Sequence, residues 1–155
     1  MLTALVLASS LANATDVART RKFGIGASTG VAYLAFTGKY YFDPKGGIAF
    51  WAGTSGIHHQ ARVNYEREFV EFADWDFARF DMYWDVGADF GVWYLGTAEV
   101  GAGGGVGVEL QFHEVPVQVW VDAGAGVYPS CYGYGVYVGG CFLQGRGSAG
   151  GRWYF

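Results

Sequence analysis

The sequence predicts an all-β protein, an eight-stranded antiparallel up-and-down β-barrel that crosses a membrane, and three observations support this fold class. Apolar and polar residues alternate at a period of two over long stretches, which is the spacing of side chains on the two faces of a strand. The 155 residues include 26 Gly, 12 Phe, 11 Tyr and 6 Trp but only 3 Pro, a composition that disfavours a helical bundle or a disordered chain. Residues typical of turns separate the alternating stretches, so consecutive strands are expected to pair.

The first fourteen residues have the features of a cleaved signal peptide. They are apolar and end in Ala12-Asn13-Ala14, which has the small-x-small form of a signal-peptidase site. We expect cleavage after Ala14, then a short leader over residues 15–22 and the barrel over residues 23–155. The apolar run is shorter than the roughly 20 residues of a transmembrane helix. A short amphipathic helix that caps a soluble core is the alternative.

Four shorter strands are predicted in the first half of the barrel. They cover residues 23–31, 36–43, 48–55 and 61–69. Residues 32–35, 43–47 and 56–59 are the predicted turns between them. A longer connection is expected at residues 70–78, although these residues could also extend the neighbouring strands.

The second half of the barrel shows the clearer alternation. Its strands are predicted at residues 79–93, 98–112, 117–128 and 145–155, with turns at 94–97 and 113–116. From residue 79 to residue 93 the even positions are all apolar, whereas Asp81, Asp85 and Asp89 occupy odd positions. A helix would distribute those aspartates around its circumference, so a strand is favoured. Pro129 is predicted to end the seventh strand and to begin a loop at residues 129–144.

One face of these strands carries bulky apolar groups, and the other carries Gly together with charged residues. Small side chains suit the crowded interior of a narrow barrel, so we expect the polar face to line the lumen. Buried charges must pair or be hydrated, which predicts a salt-bridged interior rather than an open pore. The lumen charge network is predicted to contain Lys39, Arg62, Glu66, Arg79, Asp81, Asp85, Asp89, Glu99, Glu109, Asp122, Arg146 and Arg152. A soluble sheet protein with an apolar interior is the alternative.

The two cysteines, Cys131 and Cys141, lie ten positions apart in one Gly- and Tyr-rich segment. In an exported protein such a pair predicts a disulfide. Two unpaired, reduced thiols are the alternative.

The last strand ends on an aromatic residue with no polar tail. Together with the tight turn at residues 113–116 and the Gly-rich strands, the final residues Arg152-Trp153-Tyr154-Phe155 resemble those of small eight-stranded bacterial outer-membrane barrels of the OmpA-, OmpX- and OmpW-like type. The resemblance implies a location in the bacterial outer membrane, with both chain termini on the periplasmic side and the cysteine loop outside. It also implies outer-membrane lipid and the assembly machinery as partners, with Trp153 and Phe155 as the assembly signal, and we expect a monomer.

The charged and nucleophilic residues give few candidates for chemistry. The pair His58-His59 could bind a metal, but neighbours on a strand point to opposite faces, so a surface-loop pair is the favoured interpretation. Some barrels of this type modify lipid A, and Ser55 with His58 or His59 and Glu99 is the only hydrolase-like set in the sequence. No recognisable motif surrounds Ser55, so we predict no catalytic, metal or cofactor site.

The predicted function is therefore that of a non-enzymatic envelope protein with a structural or surface-interaction role. Binding or transport of a small hydrophobic solute is the first alternative, and modification of lipid A is the second. Nucleic acid is an unlikely class of partner, since the net charge is −4 and the chain has no basic run.

Overall fold

The computed structural model of this chain describes residues 21–30, 33–94, 96, 98–133, 136–138 and 143–155. These residues form nine β-strands. The strands are β1 (Phe23–Gly30), β2 (Tyr33–Tyr41), β3 (Gly46–Thr54), β4 (His58–Asp74), β5 (Ala78–Trp93), β6 (Ala98–Phe112), β7 (Val117–Gly133), β8 (Val136–Val138) and β9 (Leu143–Tyr154). No helix in this part of the chain is long and apolar enough to cross a membrane.

Eight of the strands close into an antiparallel barrel, as the sequence predicts. Each of β1 to β7 pairs with the next strand along the chain, and β9 closes the wall by pairing with both β1 and β7. The short β8 pairs only with the end of β7. We call the end of the barrel that contains Phe23, Tyr154 and the β2–β3, β4–β5 and β6–β7 turns the terminal end, and the opposite end the loop end.

The connection predicted at residues 70–78 is mostly strand, and only three residues turn the chain between β4 and β5. Two register shifts interrupt the pairing of β4 with β5, one between Glu68 and Val70 and one between Glu71 and Ala73. Each bulge inserts an extra residue and moves the following side chains to the other face. The alternation is therefore lost from the sequence although the strand continues.

The predicted loop at residues 129–144 is also partly strand, because β7 runs past Pro129 and pairs with β8. Pro129 lacks the N–H of a ladder residue, but it falls where the pairing with β6 shifts register, between Val127 and Ser130. A bulge leaves a residue outside the ladder, so a proline is tolerated at that position. The expectation that Pro129 ends the strand was wrong for this reason.

Two predicted turns at the loop end are shorter than expected. The turn expected at residues 32–35 is too long, because residues 33–35 belong to β2 and Tyr33 already pairs with Gly30. The connection expected at residues 56–59 is likewise too long, because β4 begins at His58. The strand β4 therefore begins closer to the loop end than expected, and His58 is its first inward-facing residue.

The burial pattern is the reverse of that of a soluble globular protein. Among the described residues other than glycine, fifteen buried residues are polar or charged and eight are hydrophobic. Large apolar side chains are exposed around the outer wall, among them Val86, Val106 and Val121 at 51–52% exposure. Polar groups therefore fill the lumen and apolar groups cover the outside.

Glycine on one strand makes room for a ring from another strand inside this narrow lumen. A Cβ atom added to Gly101 would overlap the ring of Tyr128, and one added to Gly107 would overlap the ring of Tyr83. The same fit joins Tyr154 to Gly24 and Trp120 to Gly150. The glycine content of the inward face is thus a packing requirement of the rings that fill the barrel.

Candidate functional site

The charged residues predicted to line the lumen are placed on the inward face of the barrel. Six of them are buried acids with exposures of 1–6%, namely Glu66, Asp81, Asp85, Asp89, Glu99 and Glu109. Lys39 and Arg152 are buried beside them at 1% and 5% exposure. The wall strands project these side chains toward one another, so the lumen is filled by clusters of ion pairs.

The terminal half of the lumen is centred on Lys39. Its Nζ atom lies 3.0 Å from Glu66 Oε2 and 3.1 Å from Glu109 Oε2. The same ammonium group lies 4.4 Å from the centroid of the Tyr41 ring, within cation–π range. One buried cation from β2 therefore holds carboxylates from β4 and β6 across the barrel.

Neutral donors complete this half of the network. Gln111 Nε2 donates to Glu109 Oε1 at 2.6 Å, and Gln118 Nε2 donates to the Tyr41 hydroxyl at 3.0 Å. The Tyr154 hydroxyl donates to Gln118 Oε1 at 2.8 Å. Side chains from β2, β6, β7 and β9 thus meet in the terminal half through direct hydrogen bonds.

Glu68, Asp81 and Glu109 bring carboxylate oxygens within 4.8 Å of one another, a spacing that could hold a metal ion. Arg79 already neutralises two of these acids, at 3.0 Å from Glu68 Oε2 and 2.5 Å from Asp81 Oδ2. Lys39 neutralises the third. The protein's own cations thus occupy the positions around this cluster, and we interpret it as part of the ion-pair network.

Arg152 and Asp122 make further contacts inside the barrel. The Arg152 guanidinium donates to Thr37 Oγ1 at 3.0 Å and packs 3.9 Å from the centroid of the Trp120 ring. Asp122 accepts from the Ser148 hydroxyl at 2.7 Å and from the Ser148 backbone N–H at 2.9 Å. These contacts link β2, β7 and β9 across the lumen.

In the loop half, two arginines and two aspartates form a second ion-pair cluster. Arg62 pairs with Asp89, and Arg146 pairs with Asp85. Arg146 Nη1 is also 3.5 Å from Asp89 Oδ2. Asn64 Nδ2 adds a hydrogen bond to Asp85 at 3.0 Å. Two positive charges thus balance two negative charges in this cluster.

A cavity of about 200 Å³ lies above this cluster and opens at the loop end. We call it the loop-end chamber. The side chains that line it are Trp51, Gln60, Arg62, Tyr128, Gln144, Arg146 and Ser148. A second void below it, with room for about 20 Å³, reaches Asn64, Glu66 and Arg152. The chamber therefore narrows into the ion-paired interior.

His58 is a buried residue of the lumen rather than part of a surface-loop pair, so that interpretation was wrong. Its ring stacks on Trp93 with centroids 4.2 Å apart, and His58 Nε2 lies 2.9 Å from Glu99 Oε1. The structure thus brings together two members of the hydrolase-like set. Ser55 donates its backbone N–H to the His58 carbonyl at 3.0 Å. The His58 ring, at 2% exposure, is buried between Trp93 and Glu99 inside the barrel.

Several contributors to the network were not singled out in the sequence. Tyr41, Gln111, Gln118 and Tyr154 are uncharged, so a search for charged residues passes over them. Their positions do carry a signal, because each lies an even number of residues from a charged inward residue on the same strand. Tyr41 is two residues from Lys39, and Gln118 is four residues from Asp122. A search for residues at an even spacing from the charged ones would have identified these four, whereas a search by residue type did not.

The disulfide between Cys131 and Cys141 stays a prediction, since Cys141 lies outside the described residues. The assembly role of Trp153 and Phe155 also stays a prediction, although both side chains are exposed, at 49% and 64%. Comparison with protein-family models, with curated proteins and with solved structures finds no match. The geometry of the lumen and the outer wall therefore carries the functional argument.

Proposed function

We propose that this chain is an outer-membrane barrel that crosses the bilayer with its strands and has a non-enzymatic, structural or surface-interaction role. The observation that carries the proposal is the placement of charge. The lumen holds ion pairs such as Lys39–Glu109, while Val63, Val86 and Val106 on the outside are exposed at 51–54%. An outer wall of this kind is stable against lipid and costly against water.

The blocked lumen favours a structural role over the transport of a solute. Side chains from four strands meet around Tyr41 and Lys39, and the void between the two halves holds about 20 Å³, room for one water at most. An open channel needs a continuous aqueous path, which this arrangement interrupts. The function is therefore expected to lie in the barrel as a scaffold and in what its loop end presents.

The side-chain orientation on β4 provides the test. Val63 should touch lipid and Gln60 should face the lumen, because residues three apart on a strand lie on opposite faces. We would attach a spin label to Val63→Cys and to Gln60→Cys in a background in which serine replaces both native cysteines, with the protein reconstituted in vesicles. We expect oxygen dissolved in lipid to relax the label at 63 much more than the label at 60. The reverse result, or recovery of the full chain in the soluble periplasm, would refute the proposal.

A conductance measurement tests the closed lumen separately. Reconstitution into a planar bilayer should give no steady current, because the ion pairs around Lys39 cross the barrel. A stable open current at modest voltage would instead support the transport alternative.

A further inference from the structure

We propose that the loop-end chamber is a binding site for one ring of a small, neutral sugar. The site lies apart from the ion pairs of Lys39, and the ion-paired Arg62 and Arg146 form its floor. Which medium the chamber opens to rests on the proposed function. The binding itself does not, and can be measured on protein folded in detergent.

The size of the chamber suits a single ring. Its volume of about 200 Å³ equals that of about six or seven waters at roughly 30 Å³ each. Covalently bonded atoms pack more closely than waters, so a ligand of about ten heavy atoms fills the space. Drug-sized ligands occupy pockets of about 300–1,000 Å³ and would not fit.

Two aromatic rings and a fixed geometry make the chamber a built site. The Trp51 indole N–H donates to Ser28 Oγ at 2.8 Å, which fixes the ring plane, and the Arg62 guanidinium lies 5.7 Å from its centroid. Tyr128 lies over Gly101 and is 2% exposed, so its ring is held as well. The partly exposed Trp51 ring can pack against the C–H face of a pyranose ring, and the buried Tyr128 offers its hydroxyl.

The polar groups of the wall can both donate and accept hydrogen bonds. Gln60 and Gln144 carry amides, and Tyr128 and Ser148 carry hydroxyls. The Gln60 amide already reaches the Tyr128 hydroxyl at 3.4 Å, a long contact that a ligand hydroxyl can replace. Sugar hydroxyls also combine donor and acceptor, so they match a wall of this composition.

The charge balance of the floor selects a neutral ligand. Arg62 and Arg146 line the chamber, but Asp85 and Asp89 pair with them and bring the local charge to about zero. A phosphate or carboxylate would have to compete with those aspartates for the guanidinium groups, and a cation would meet two arginines. An uncharged, hydroxyl-rich ring meets neither penalty.

The experiment uses the Trp51 indole resonance in a ¹H–¹⁵N NMR spectrum of the full chain folded in detergent, assigned by its loss in Trp51→Phe. Xylose, glucose and galactose are titrated one at a time. We expect at least one of them to shift the resonance and saturate, with a dissociation constant on the order of 1 mM for a ligand of about ten heavy atoms. Equal binding of the matching trisaccharide means that the ring enters as the end of a longer glycan, and exclusion of the trisaccharide means that it enters as a free sugar. Either result supports the site.

Two variants on β4 provide the matched comparison. Gln60→Leu keeps side-chain size but removes the amide, and should weaken binding by about tenfold. His59→Leu makes a similar change at the adjacent, exposed position on the outer face and should leave binding unchanged. Retained heat-modifiable migration on a gel establishes that both variants are folded.

Three results would overturn the proposal. One is the absence of any saturable shift with the three sugars up to 100 mM, which means that the chamber holds water only. Another is tighter binding of glucuronate, inorganic phosphate or glycine than of the neutral sugars. The third is an equal loss of binding in Gln60→Leu and His59→Leu. None of these results bears on the membrane assignment, which the spin labels test independently.

Discussion

The terminal half and the loop half of the lumen contain the same kinds of residue but differ in how those residues fill the space. In the terminal half, Lys39 bridges two acids, and Tyr41, Gln118 and Tyr154 close the remaining gaps with direct hydrogen bonds. In the loop half, the ion pairs of Arg62 and Arg146 form a floor beneath a cavity of about 200 Å³.

The difference comes from side-chain size rather than from charge. At the terminal end, long inward side chains from β2, β6, β7 and β9 contact one another directly. At the loop end, the inward position opposite Ser148 is Gly30, which contributes no side chain to the chamber. Alternation thus decides which residues face inward, and the length of those side chains decides which half is filled.

The largest expected effect comes from removing the cation at the centre of the terminal half. Lys39→Met keeps most of the side-chain volume but leaves Glu66 and Glu109 without their shared ammonium group, which is 1% exposed. Arg152 Nη1 still lies 3.7 Å from Glu66 Oε2, so the charge left uncompensated is that of Glu109. Breaking a buried ion pair from one side costs about 3–5 kcal/mol. The measurement is urea-induced unfolding of the barrel reconstituted in lipid.

Lys45→Met makes the same chemical change at an exposed turn position and serves as the control, with an expected effect near zero. Adding Glu109→Gln to Lys39→Met should recover part of the loss, since the uncompensated charge is then removed. Equal stability of Lys39→Met and Lys45→Met would show that the network in the terminal half is not a main source of stability.

The second-largest expected effect tests which face of β6 points into the lumen. Val108→Arg puts a charge on the outer face and should cost about 2–4 kcal/mol near the bilayer midplane. Glu109→Gln, at the adjacent inward position, should cost less, because Lys39 keeps Glu66 at 3.0 Å. Urea-induced unfolding of the two variants reconstituted in lipid measures which of them loses more stability. A larger loss in Glu109→Gln than in Val108→Arg would contradict it.

The sequence predicted the barrel and its inward face well, because alternation is a local property of each strand. It failed where the backbone departs from alternation, at the bulges around Glu68 and Glu71 that hide the continuation of β4, and at the bulge that admits Pro129 into β7. The sequence also could not predict which charged residues contact one another across the lumen. Lys39 and Glu109 are 70 residues apart, and their contact depends on the register of four intervening strand pairs.

The cysteine pair gives the third effect and bears on the loop end. If Cys131 and Cys141 form a disulfide, reduction should lower the free energy of unfolding by roughly 2–3 kcal/mol, through the freedom that the opened loop gains in the unfolded chain. Unfolding is compared with and without a reductant, with the variant that carries serine at both positions as the control. Full reaction of an unreduced sample with a thiol reagent would exclude the bond.

The smallest effect is expected from the counterpart of Lys39 in the loop half, and it tests the comparison most directly. Arg146→Met removes the partner of Asp85 and a second cation from Asp89, yet Asn64 still donates to Asp85 at 3.0 Å and Arg62 still pairs with Asp89. The open chamber also lets water reach the vacated position, so neither aspartate is left without a donor. We expect a loss of about 1–2 kcal/mol, measured by the same lipid-based unfolding as for Lys39→Met. If Arg146→Met costs as much as Lys39→Met, the loop half is built as tightly as the terminal half, and the chamber is not the region of looser packing that its volume indicates.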